Sequence, residues 1–344
     1  MDSKTNSRNQ AVDLMKGLLI ILMIIGHFPM GKIAYDALYS FHMMAFVLLS
    51  GYFYKPEAST QLGRGLYKLI KAYMVPYGVF VIIYCAMFHV GLKLELKMAF
   101  LAMSNVSKVL ENRAALIGPI YFIPMLFLTR LLFLFLARFF KKDLILTGVV
   151  LCLSLIGYFL GRGGYWLPWS FDISLYVLIY YLIGYMAHKY HVLSYIKGKP
   201  LIWAGMFIGW LAAVYLGSMD IFVRQYNIYP VAVIGAVCGS VLFYFVCEAL
   251  CKLLGKATSV FGYAGKSTAY ILIVHTQFEY FIGKKMQQYF TLHSFGYCLI
   301  MIVIQLIIGA AMYFVISSIV HVLEHACCKA VMESHNLETE RIER

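Results

Sequence analysis

The sequence predicts an all-α fold, an integral-membrane bundle of about ten transmembrane helices with both termini in the cytosol. Composition is the first reason. Of 344 residues, 62% are hydrophobic and only 13% charged, with a mean hydropathy of +0.78. A soluble domain of that length and composition would need a surface made largely of apolar groups. The second reason is arrangement, because the apolar residues fall in long runs and most Lys and Arg lie in the short segments between them. With the N-terminus inside, about 19 Lys and Arg fall on cytosolic ends and about nine on outer ones. That asymmetry sets the orientation.

Ten stretches have the length of spans. They lie near 12–30, 36–54, 69–91, 118–138, 143–161, 172–188, 199–218, 228–251, 267–283 and 295–324. Residues 1–11 read as a cytosolic N-terminal tail, 12–325 as one transmembrane domain and 326–344 as a cytosolic C-terminal tail, frayed or disordered. The apolar run after Lys16 is too long for a cleavable leader and lacks a small-residue cleavage site, so it reads as the first span. The longest outer loop, 92–117, carries Lys93, Glu95 and Lys97 and suits an amphipathic helix on the membrane surface.

The formal net charge of +13 does not point to nucleic acid, because its residues are dispersed among loops. The eight cysteines show no CxxC or Cys/His spacing, so no metal is expected and they read as core fillers. G-x-S-x-G, HExxH and a Gly-rich phosphate loop are absent, which leaves a hydrolase or an ATP-driven pump without support.

Groups that do not belong in lipid locate the chemistry. In DLMKGLLIILMIIGH, residues 13–27, eleven residues separate Lys16 from His27. At about 100° per residue both lie on one helix face, about 16 Å apart along the axis. Asp13 falls near that face and can pair with Lys16 or cap the helix. Lys16 itself suits either the phosphates of a ligand or a snorkelling anchor. His42 stands early in the second span, and Arg130 sits among Leu and Phe in the fourth. A guanidinium at that depth needs a watery cavity or an anionic partner, either a bound ligand or a carboxylate such as Glu248. His275 and Glu279 are four apart in the ninth span, with Thr268 two turns earlier on the same face. Asp172 opens the sixth span, where it can cap the helix or meet sugar hydroxyls. From position alone His27 reads equally as a base and as an interface histidine bonding a loop.

Lys16-x10-His27 followed by SFHMMAFVLLSGY resembles the signature of the membrane-bound type 3 acyltransferase family, which includes polysaccharide O-acetylases. GPIYFIPMLF (118–127) and LPWSFDISLYVLIYYLIGY (167–185) are similar to two further motifs of that family, in the same order. The family has Arg where this chain has Lys16, so the charge is kept and the planar fork is lost. Tyr121 stands for its usual Trp, and Met44 and Ala45 stand for Pro and Leu.

The resemblance implies an integral-membrane O-acyltransferase. It moves an acyl group, acetyl in the first instance, from cytosolic acyl-CoA to a hydroxyl of a cell-envelope polysaccharide or glycolipid. It makes His27 the general base and Tyr121 a wall of the donor site. Lys16, His42, Arg130, Asp172, His275 and Glu279 are the remaining candidates for substrate or donor contacts. Acyl-CoA would be a substrate, with no permanently bound cofactor, and the implied location is a bacterial plasma membrane. The alternative is a polysaccharide or small-solute transporter using the buried polar residues as a path, although no matching broken helices appear in the two halves.

Overall fold

The computed structural model describes residues 9–56, 61–88, 118–217, 219–286, 288–291 and 294–342. The surface helix expected at 92–117 and the first eight residues lie outside them. The described residues form helices α1 (Gln10–Ile25), α2 (Lys32–Tyr39), α3 (His42–Tyr52), α4 (Leu62–Leu69) and α5 (Val75–Phe88). These are followed by α6 (Phe122–Phe139), α7 (Asp143–Arg162), α8 (Phe171–Lys189), α9 (Val192–Ile196) and α10 (Pro200–Tyr215). The last four are α11 (Tyr229–Leu254), α12 (Ser259–Lys266), α13 (Thr268–Met286) and α14 (Phe295–Ile342). No strand occurs among the described residues.

Seven helical stretches among the described residues are long and apolar enough to cross a membrane. These are Lys32–Tyr52, Leu62–Ile82, Phe122–Phe139, Asp143–Arg162, Pro168–Lys189, Tyr229–Leu254 and Phe295–Ile319. Pro200–Tyr215 is apolar but shorter. The fold is therefore all-α and multi-pass.

Several boundaries differ from the sequence reading for identifiable reasons. Asn9, not Asp13, caps α1, its side-chain oxygen accepting from the Ala11 and Val12 amides at 3.1 and 3.3 Å. The same helix stops at Ile25, because Gly26 follows and Pro29 disfavours helical backbone just before it. The second span breaks between α2 and α3, where Ser40 Oγ donates to the Ala37 carbonyl at 2.7 Å and competes with the helical ladder. A wide π turn, Ile70–Met74, joins α4 to α5. Pro76 explains it, since its ring has no N–H to donate and crowds the carbonyl four residues earlier. Finally, α14 is continuous for 48 residues, so the tail read as frayed or disordered is helical through Ile342. Such a helix is about 72 Å long, well beyond the roughly 30 Å hydrocarbon core, and must leave the membrane.

The spine is α8. Tyr176, Tyr180 and Tyr181 are fully buried in it, as befits a helix apolar on all sides. It packs on α7, α3 and α6. Contact with α3 runs through glycines on both helices: a Cβ on Gly51 would strike the Tyr181 carbonyl, and one on Gly184 that of Leu48. In lipid, where apolar surface alone does not drive helices together, such close approach supplies the packing. Helix α3 also touches α1, which packs in turn on α12, α11 and α13. Gly17 of α1 lies so close to the Phe261 carbonyl that no larger residue fits. The candidate site lies where α1, α3, α6 and α13 meet.

Candidate active site

A cavity of about 300 Å³ runs between these helices, lined by Lys16 and Ile20 of α1, Ser50 of α3, Tyr73 and Arg130, and Thr268 and Leu272 of α13, among others. Two cations that the sequence reading kept separate thus share one space. Arg130 Nη1 donates to the Tyr73 hydroxyl at 2.7 Å, and its guanidinium lies over the Tyr73 ring, 5.4 Å from the centroid. Its Nε is buried without a hydrogen-bond partner, as is Ser50 Oγ. Among the described residues no carboxylate pairs with Arg130. Glu248, the suggested partner, bonds Lys197 and lies 3.9 Å from Lys252. Lys16 Nζ stands 5.2 Å from the Phe53 ring centroid.

Arg130, Phe53 and Ala72 also line a second space, about 590 Å³, so the two adjoin. Its wall adds Lys55, Arg64 and Lys68, all exposed. Sequence reasoning missed these three as site residues and used them only as charges that orient the chain. The signal was present, because Arg64 and Lys68 are four apart and fall on one face of α4.

At the other end of α1, the His27 ring stacks on that of His275, with centroids 4.8 Å apart and planes 26° from parallel. His27 lies in the tight turn after α1, closed by its amide to the Ile24 carbonyl at 3.1 Å, and remains exposed. His275 is only 1% exposed. His42 is buried at the start of α3, its Nδ1 2.8 Å from the Leu38 carbonyl oxygen. Because a carbonyl only accepts, Nδ1 holds the proton in neutral His42 and Nε2 is left as an acceptor. Tyr39 packs edge-on to His42 at 4.9 Å and donates its hydroxyl to the Gly26 carbonyl at 3.2 Å, which fixes the residue preceding His27.

Two candidates lie elsewhere. Asp172 is fully buried and accepts from Arg224 Nε at 2.9 Å and Nη2 at 3.1 Å, and from the Leu167 amide at 3.2 Å. It pins the chain preceding its helix to the 217–228 loop and does not cap its own helix. Arg224 lies 3.7 Å from the centroid of the Trp166 ring. Arg224, Trp169 and Ser170 all take positive φ, so one member of this pair and two residues just before Asp172 are strained. Tyr121 is buried and its ring lies 5.7 Å from that of Phe222, while its neighbours Phe122 and Ile123 line the smaller cavity. The side chain of Glu279 lies outside the described residues.

Residues 225–228 help to wall a polar cleft of about 490 Å³, together with Lys32, Tyr35, Asp36 and Arg162, among others. Tyr35 donates to Asp220 at 3.2 Å and stacks on Tyr39 at 3.9 Å, so this cleft reaches within one aromatic pair of His27. Burial holds the Asp220 carboxyl above the usual carboxylate range.

The described residues thus form a multi-pass helical bundle with cations around two adjoining cavities and a stacked histidine pair at the end of α1. Comparison with known families supplies the rest. A family model described as an acyltransferase domain matches residues 9–321, and the chain belongs to the type 3 acyltransferase family. Comparison with curated proteins and with solved structures returns no match.

Proposed function

We propose that this acyltransferase takes its acyl group, acetyl in the first instance, from cytosolic acyl-CoA and passes it to a hydroxyl of a cell-envelope polysaccharide or glycolipid. The observation that carries the donor is Arg130. It is a guanidinium with a buried, unpartnered Nε and no carboxylate among the described residues, at the junction of two cavities that also hold Lys16, Lys55, Arg64 and Lys68. Such a funnel suits the phosphates of a nucleotide thioester, with the slimmer space beyond it taking the pantetheine arm. On this reading, which the charge asymmetry of the loops favours, this mouth faces the cytosol and the cleft beside Asp220 faces outward, where the acceptor enters.

His27 then acts as general base. It takes the acceptor's proton as the hydroxyl oxygen bonds to the thioester carbon, and returns that proton to the thiolate when the C–S bond breaks. The match to an acyltransferase family favours this reading over a transporter. Purified protein incubated with labelled acetyl-CoA and a glycan acceptor should release free thiol and transfer label in step, and release of neither would end the donor assignment. Reporter fusions after Lys142 and Lys199 should read as cytosolic and one at Arg113 as external; the reverse pattern would invert the two mouths.

A further inference from the structure

Leu272 is the last residue of α13 that lines the donor cavity. Gly265, Thr268, Ala269 and Leu272 form one of its walls. His275 follows Leu272 by three residues, about one turn further along the same face of α13. Its ring stacks on that of His27, so α13 runs from the donor cavity to the proposed base. Thr268 contributes no spare hydrogen to the wall, because its hydroxyl lies 2.8 Å from the Gly265 carbonyl oxygen of its own helix turn.

His275 differs. Its Nδ1 is 2.8 Å from the Leu272 carbonyl oxygen, which only accepts, so in the neutral ring Nδ1 carries the hydrogen and Nε2 presents a lone pair. That Nε2 is buried and has no hydrogen-bond partner among the described residues. An unsatisfied buried acceptor is rare because desolvating it costs free energy that nothing returns. The complement of a lone pair at this place is an N–H on whatever fills the donor cavity.

We infer that His275 Nε2 accepts a hydrogen bond from an amide N–H of the donor's pantetheine arm and so holds the thioester beside His27. This rests on the acyl-CoA reading above. The acceptor glycan is the poorer match, since on that reading it arrives from the cleft beside Asp220, while His275 lies one helical turn beyond the last lining residue of the donor cavity.

Two substitutions separate the ring's two nitrogens. In His275→Asn the amide reaches only the Nδ1 position, where it can still donate to Leu272. In His275→Gln the side-chain oxygen reaches the Nε2 position and can accept. The donor KM of the full chain in detergent is measured with acetyl-CoA and with the acetyl thioester of a simple alkanethiol that has no amide. Asn should raise the KM for acetyl-CoA about tenfold, Gln should recover most of the loss, and neither should move the KM for the amide-free thioester beyond about twofold. An Asn penalty equally large on the amide-free thioester would overturn the inference, as would an Asn variant indistinguishable from the unaltered chain. If the Asn variant does not survive extraction, His275→Met, which fills the space without an acceptor of comparable strength, takes its place in the same comparison. Failure of the unaltered protein to release thiol from acetyl-CoA would instead bring down the donor assignment, and this inference with it.

Discussion

Two arginines inside apolar surroundings divide the molecule. Arg224, in the loop between α10 and α11, makes a forked pair with Asp172, stacks over Trp166 and is almost wholly buried. Arg130 has two tyrosines for company, Tyr73 bonded to it and Tyr181 lining the same space, and an Nε with no partner. Both residues are costly to place, and the fold compensates only one of them. A saturated charge holds a structure together, while an unsaturated one is kept for something that arrives later. On that criterion the loop around Arg224 reads as architecture and the cavities beside Arg130 as the proposed site.

The comparison breaks most visibly at Arg224. Replacing it with Met strands Asp172 in a buried position, and the expected loss is about 3–5 kcal/mol of stability, read as a fall in unfolding temperature in detergent. Replacing Asp172 with Leu at the same time should restore much of that loss, because the orphan charge then disappears. If Arg224→Met alone is as stable as the unaltered chain, the pair is not the structural staple described here.

His27→Ala tests the boundary between the two regions. Without a positioned base, acyl transfer should fall by at least about 10²-fold while coenzyme A still binds. His42→Ala should cost less, since His42 flanks the base without replacing it. Near-normal transfer by His27→Ala would move the base to another residue.

Arg130→Met sharpens the contrast with Arg224. The protein should remain folded, because no carboxylate is orphaned, and the KM for acyl-CoA should rise about tenfold or more. Loss of folded protein instead would make Arg130 a second structural arginine. The rim cations should matter less: Lys68→Gln is expected to change that KM by only about two- to fivefold, with the difference vanishing in high salt.

The smallest effect is a pH dependence. Burial raises the Asp220 carboxyl pKa, so the folded state binds this proton more tightly than the unfolded chain does. The stability it contributes is complete below the unfolded pKa, about 4, and is lost as pH rises through the folded value. Unaltered protein should therefore lose its advantage over Asp220→Asn as pH rises through that window in thermal unfolding. An advantage that grows with pH would reverse the sign and contradict the burial argument.

Much of the site could be read in the chain because intramembrane charge is expensive and therefore conspicuous. Arg130, His27 and Lys16 are visible as polar residues in apolar runs, and the Lys16–His27 spacing gives a polar stripe without any tertiary information. The stripe is less regular than spacing alone suggests, since α1 ends at Ile25 and His27 sits in a turn set by Gly26 and Pro29. Tyr73 could not be found in this way, because a tyrosine near a π turn looks like any other interfacial aromatic.

The sequence by itself determined that this is a helical multi-pass membrane protein of the type 3 acyltransferase family, because composition, run length and local motifs are properties of neighbouring residues. It also determined which ionisable groups enter the apolar spans. Only the tertiary structure decided which of those groups are already paired. Asp172 and Arg224 are 52 positions apart and meet in a forked bond. His27 and His275 come from opposite ends of the chain and stack. Arg130 reaches Tyr73 across 57 positions and no carboxylate among the described residues. Pairing depends on where separate helices cross, and a crossing is set by packing over the whole bundle, through close contacts such as Gly51 with Tyr181 and Gly17 with Phe261.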